Sequence, residues 1–295
     1  MKSQQSTCAF RIYMMNIFKS VLCFIFGRFL SCYSCYSQEK SHYKCAYQFD
    51  ILSDTIKKEY FRQEVYIVQI GNNLTKGFTY QKFYLDSLQK SSPELYRKLF
   101  NASVEASIME MRRTVDLSSI HNNEFHFGAF PSDLYKDYKK NEILVRDNIS
   151  IHNFIYKDEL KPQDWEILSD TTTILGYHCQ KAQCQWRGRN WVAWFTPEIP
   201  INEGPWKFYG LPGLIAKLHD TENHYSFVLI GFQTSEEPID TKIPKGTQKI
   251  DRKEFLRTKF GEKENMISNA EMAKVGLSNS EPIKQNYDYI ERDYK

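Results

Sequence analysis

Cys179 follows His178 directly, which puts a thiol beside an imidazole, the two groups of a nucleophile-and-base pair. In an extended segment, however, consecutive side chains point to opposite faces, so this imidazole would not reach that thiol proton, and both residues read as structural. His219 and His224 flank Asp220, Thr221, Glu222 and Asn223 and are expected to face each other across a four-residue hairpin turn. Two opposed imidazoles could hold a metal ion, but a site takes a third or fourth ligand, and polar residues beside a turn are usually solvated. His219 and His224 are therefore the only metal candidates, and no cofactor is called for. The chain has no H-E-x-x-H, no G-x-S-x-G, no phosphate-binding loop and no cysteine pairs at zinc-ribbon spacing.

The cysteines pose a geometric question. Seven are present, of which Cys8, Cys23, Cys32 and Cys35 lie in the first 37 residues. Cys45, Cys179 and Cys184 remain. Five strand steps span roughly 16 Å and reverse the face, so Cys179 and Cys184 are not expected to pair. A disulfide would have to join Cys45 to Cys179 or Cys184, and three reduced thiols are the alternative.

Residues 1–37 carry Lys2, Arg11, Lys19 and Arg28 and no acid, with an apolar run from Val21 to Phe26. Such a basic start and short apolar core, with Cys35 and Ser37 as small residues before Gln38, read as a signal peptide, for which Met15 is an alternative start. Export to the periplasm is the expectation, with lipid attachment at Cys32 as the alternative. The run is far below the roughly 20 residues of a membrane-spanning helix, so none is expected in the mature chain. Without the leader, 35 basic residues face 36 acidic ones. That balance lacks the basic excess of a nucleic-acid binder.

The elements that would position these residues are mostly strands. Aromatic residues make up 15% of the chain, a composition that favours pleated, half-buried surfaces. His42–Ile51 alternates apolar and polar residues at strand period, and Lys58–Ile70 continues as a second strand before Gly71, Asn72 and Asn73. Ser91 and Glu94 have capping-box spacing around Pro93 and predict a helix start. Residues 112–141 show no firm period. Further strands are expected at Glu142–Val145, Ile149–Tyr156 and Trp165–Leu168, followed by a hairpin of Ile174–Trp186 and Trp191–Thr196 around a four-residue turn. Tyr225–Phe232 is apolar at both parities, as a strand covered on both faces would be. Asp251–Phe260 and Asn265–Val275 read as charged helices, and the charged end as a solvated tail.

Four ordered blocks, Gly176–Ala182, Arg187-Gly188-Arg189, Ala193–Pro200 and Gly204–Ile215, resemble the GLPGLI family, whose naming hexapeptide would be Gly210, Leu211, Pro212, Gly213, Leu214 and Ile215. The resemblance is sharp from Trp165 to Phe232. It implies an exported protein of Bacteroidetes-type bacteria with no established activity, and supplies no catalytic residue to carry over. Leu211-Pro212-Gly213-Leu214 fits a type II turn, with Pro presetting φ and Gly accepting the positive φ that follows. Trp206, Phe208, Leu211, Leu214 and Ile215 surround it with apolar bulk that either packs a core or lines an apolar ligand site.

The architecture that results is a mainly β, or α+β, domain over residues 38–250: a curled antiparallel sheet of about seven to ten strands, half-barrel in the extreme, with one or two helices. Residues 251–295 form the charged helical segment and tail. The preferred function is a non-catalytic cell-envelope protein binding an apolar small molecule or a protein partner. The alternatives are an envelope hydrolase with scattered catalytic residues and a metal or redox protein using the histidines and cysteines.

Overall fold

The computed structural model describes residues 38–52, 61–114, 133–149, 152–265 and 289–294. Contacts divide the chain into two units, Met1–Gln38 and Glu39–Lys295, and the fold below is that of the second. The expected leader, its Cys32 and nearly all of the Asn265–Val275 helix lie outside the described residues.

The elements run β1 (Tyr43–Leu52), β2 (Phe61–Ile70), β3 (Leu74–Thr79), α1 (Tyr80–Ser91), α2 (Pro93–Thr114), β4 (Asp133–Asp137), β5 (Glu142–Ile149), β6 (His152–Glu159), β7 (Glu166–Ile174), β8 (Tyr177–Trp186), β9 (Arg189–Thr196), β10 (Leu214–Asp220), β11 (Tyr225–Thr234), β12 (Gln248–Lys249) and α3 (Arg252–Asn265). These twelve strands join one open sheet in the order β12-β6-β5-β4-β3-β2-β1-β11-β10-β9-β8-β7. Neighbours are antiparallel except β12, which lies parallel to β6. The fold is mainly β, as expected, and the described residues hold more strands and one more helix than the sequence pattern implies.

One face of the sheet carries the core. Cys45, Tyr47, Phe49 and Ile51 of β1 are buried at strand period, as are Tyr225, Phe227 and Leu229 of β11 and Trp191, Ala193 and Phe195 of β9. The rings of Phe49 and Phe227 stack 4.1 Å apart, a cross-strand aromatic pair that adds about 0.5–1.5 kcal/mol beyond area burial. β11 sits centrally but is not covered on both faces: its other parity is only half-buried, and Ile230 is exposed.

Two turns and one helix depart from expectation. The β8–β9 hairpin closes on two residues rather than four, because Trp186 pairs with Arg189 and both Arg187 and Gly188 take positive φ, the geometry of a type I′ turn that matches strand twist. Ser91 ends a helix instead of starting one. Thr79 caps α1 through Lys82 N, Ser92 N closes it on Leu88 O, and α2 begins at Pro93. α3 packs on β5 and β6, with Phe255 against Phe154 and Tyr156 and a buried Lys259–Asp147 ion pair.

Candidate functional site

The loop between β9 and β10 holds the residues singled out in the sequence, and it lies on the buried face. Trp206, Phe208, Leu211, Leu214 and Ile215 are all at most 2% exposed. Phe208 packs against Trp165, Trp186 and Trp191. Tyr47 of β1 donates to Ile215 O at 2.8 Å, and Trp165 Nε1 donates to Tyr209 O at 2.9 Å. These aromatics are part of the hydrophobic core.

The turn inside the hexapeptide is tighter than the type II turn expected. Gly213 N donates to Leu211 O at 2.8 Å across Pro212, an inverse γ-turn, and Leu214 N goes instead to Ile199 O. Gly213 has φ +148°, and a Cβ there would stand 2.1 Å from Thr196 O. Gly210, at φ +101°, would meet Pro162 Cβ at 2.6 Å. Both glycines let the loop backbone lie against its neighbours.

Two buried ionic clusters anchor this loop. In the first, Glu203 Oε2 takes the Lys136 ammonium of β4 at 2.6 Å, while Oε1 accepts from Thr75 and Tyr138 at 2.5 Å each. Lys136 also donates to Gly204 O and Phe208 O. Burial, then the charge and hydrogen bond of Glu203, push the Tyr138 hydroxyl well up, so it stays a donor.

The second cluster centres on Lys207, whose side chain is fully buried between Asp158 Oδ2 at 2.7 Å and Glu291 Oε1 at 2.6 Å. Arg187 Nη2 reaches Asp158 at 2.7 Å, and its Nη1 reaches Glu291 and Asp293 at 3.2 and 3.3 Å. Arg252 donates to Glu291 at 2.6 Å and to both oxygens of Asp293 at 3.0 and 2.6 Å. Burial raises the carboxyl pKa of Asp158, yet Lys207 and Arg187 hold it below the ordinary value. Asp293 is likewise lowered against burial by Arg252 and Arg187.

The described end of the expected solvated tail, residues 289–294, is therefore docked. Tyr289, Ile290, Glu291 and Tyr294 are buried. Arg189 Nη2 and Nε donate to Tyr289 O at 2.6 and 3.1 Å, Arg257 Nε donates to Tyr294 O at 2.8 Å, and Arg292 N donates to Arg187 O at 2.9 Å. In the sequence Arg187, Arg189 and Lys207 stand out only as motif residues, with nothing adjacent to show this role. A lysine between Trp206 and Phe208 in an apolar run is the one local signal, because a buried cation demands an anion.

The metal candidates separate. His219 stands opposite Ser226, not His224, which lies in the turn. Burial and the charges of Lys217 and Lys181 lower the His219 pKa against the pull of Asp220. Asp220, Glu222 and His224 do converge, with ligand atoms within 4.8 Å. Both carboxylates are already matched, however: Asp220 binds Arg189 at 2.9 Å and Tyr225 N at 2.8 Å, and Glu222 binds Arg292 at 2.8 and 2.5 Å. A cation there would have to displace two guanidinium groups.

Of the two states left open for the cysteines, the three reduced thiols are the one observed. Cys45, Cys179 and Cys184 are free and buried. β1 and β8 stand four places apart in the sheet, roughly 19 Å at about 4.8 Å per strand, against the roughly 7 Å a bridge allows. Beside Trp186, a cleft of about 140 Å³ is lined mainly by polar residues, among them Glu159, Gln163, Asp164 and Arg187. Among the described residues, no helix is long and apolar enough to cross a membrane.

The motif loop and the β8–β9 turn are also where the chain meets known proteins. Residues 187–217 match a family described as a protein of unknown function, Porph_ging. That stretch holds Arg187, Arg189, Glu203 and Lys207 together with the hexapeptide, of which Leu211, Gly213, Leu214 and Ile215 are buried and Pro212 is exposed. No curated protein sequence matches the chain. Two solved structures of PNGF-II, in P21 and C2 space groups, superpose at TM-scores of 0.47 and 0.46 with 15% identity, covering 75% of this chain and 33% of theirs. The chain thus spans about a third of the length of those proteins.

Proposed function

We propose that the chain is an exported cell-envelope protein of the GLPGLI type, working without catalysis by binding a segment of another protein. The observation that carries this reading is the fate of the family-matched stretch. Its aromatic residues fill the core, and Arg187, Arg189 and Lys207 hold a peptide, the chain's own C-terminus. A site that reads peptide backbone and carboxylates is a recognition surface. The burial of Trp206, Phe208 and Leu211 in the core supports a protein segment over an apolar small molecule as the ligand.

Export is supported by the leader pattern of residues 1–37 and by the four-block resemblance. The test is intact and native mass of the protein recovered from envelope fractions. A mature chain beginning at Gln38 with no retained small molecule is expected. A stoichiometric apolar species on the purified protein would overturn the reading in favour of a carrier, and a mass that keeps residues 1–37 would overturn cleavage and export.

A further inference from the structure

We propose that the groove formed by Arg187, Arg189, Lys207 and Arg252 is a receptor site for an extended acidic peptide with the pattern aromatic-x-Glu-x-Asp-aromatic. The C-terminal residues Tyr289–Tyr294 are its resident, displaceable occupant. The inference rests on the protein-segment reading above and gives the ligand its chemistry.

Electrostatics supplies the first argument. Without the tail, Arg187, Lys207 and Arg252 face a single carboxylate among the described residues, Asp158, within ion-pair distance. Three cations against one anion leave two positive charges, which Glu291 and Asp293 match; with the tail docked, Lys207 has no solvent exposure. Covering those cations without pairing them is costly, so a chain that fills the groove must bring two anionic groups. Glu291 and Asp293 are two residues apart, the spacing that puts both carboxylates on one side of an extended chain.

Backbone reading supplies the second. Arg189 and Arg257 donate to the carbonyls of Tyr289 and Tyr294, and Arg187 O accepts from Arg292 N, so both ends and the middle of the segment are held without regard to side chain. The segment lies close against the β8–β9 turn: a Cβ on Gly188 would come within 2.9 Å of Arg292 Cβ. Apolar anchoring at Tyr289, Ile290 and Tyr294, each at most 9% exposed, completes a peptide-binding pattern of polar centre and apolar ends.

A strap that only completes the fold would make the same contacts, and displacement separates the two. The probe is the acetylated, amidated, fluorescently labelled peptide Tyr-Ile-Glu-Arg-Asp-Tyr, titrated into the full-length protein and into the full-length Glu291→Gln/Asp293→Asn variant. One-to-one binding to the variant, at least about tenfold tighter than to the wild type, is expected, because the weakened tail no longer competes. A control peptide with Gln and Asn for its acids should bind at least about tenfold more weakly. A folded variant that ignores the peptide, or binds both peptides alike, overturns the proposal. Should the variant not fold, the wild type decides. Excess peptide should accelerate hydrogen exchange at the Arg292 amide, and exchange unchanged by millimolar peptide overturns it. Failure here with a clean, ligand-free mature mass removes only the groove assignment, whereas peptide binding by a protein that carries an apolar species removes only the functional reading.

Discussion

Replacing Glu203 by Gln removes the charge that neutralises Lys136 while keeping the side chain's shape. Lys136 is buried and then keeps only the carbonyls of Gly204 and Phe208 and one amide oxygen. Removing one partner of such a pair costs about 3–5 kcal/mol, since the other charge stays behind uncompensated. For a domain of this size each kcal/mol lowers Tm by about 2–4 °C, so a fall on the order of 10 °C is expected. Lys136→Met should cost a similar amount, because it leaves the Glu203 carboxylate with the neutral donors Thr75, Tyr138 and Gly204 N and no cation. The double variant, with neither charge, should be more stable than the sum of the two losses by at least about 2 kcal/mol. Urea unfolding of the four proteins closes the cycle. Additive losses would show that Lys136 and Glu203 do not act on each other, and single variants within about 1 kcal/mol of wild type would show that the pair is not buried as described.

Gly213→Ala sets a Cβ against Thr196 O and holds alanine at φ +148°, so a loss of about 2–5 kcal/mol is expected by urea unfolding. The lowered carboxyl pKa values of Asp158 and Asp293 mean that their contribution is complete above the ordinary carboxylate value of about 4 and is lost as pH falls through the lower folded values. Hydrogen exchange at Arg292 should therefore stay slow at pH 5–7 and accelerate only below about pH 4; release at pH 5 would contradict the ion-pair account. Burial pushes the Cys45 and Cys184 thiols up to about 12, so native protein at pH 8 should resist alkylation at both positions and be labelled there once unfolded, as read by peptide mass. Purified protein mixed with equimolar zinc and desalted should retain no stoichiometric ion, because Arg189 and Arg292 already occupy Asp220 and Glu222.

What the sequence makes legible follows from where each element finds its partners. β1 alternates so cleanly that its buried set, Cys45, Tyr47, Phe49 and Ile51, is readable from residue order alone, since one face meets the core and the other does not. β4 is not readable in this way, because Asp133 and Lys136 occupy buried positions through ion pairs with Arg146 and Glu203, and a polar strand has no apolar period. α1 hides behind Tyr80, Phe83 and Tyr84, aromatics that favour strands but stand exposed here on a helix that buries only Leu85 and Leu88. The candidate site divides in the same way. The hexapeptide announces itself locally, while Glu291 and Asp293 look like a solvated end because the cations that bind them lie about 40 to 100 residues away. Charge alone does not reveal its counter-charge when only folding brings the two together.

The pairing of β1 with β11 has a consequence for how this chain must reach its folded state. Tyr43 lies opposite Thr234, and both strands sit in the interior of the sheet order. A nascent chain emerging from its N-terminus can form the local β4–β5–β6 and β7–β8–β9 meanders early, but β1 waits for a partner made almost two hundred residues later. Non-local closure of that kind slows folding and leaves apolar strand faces uncovered in the interval. The central strand therefore stays half-paired until β11 is made, an opening for a holdase chaperone and a stage at which aggregation competes with folding.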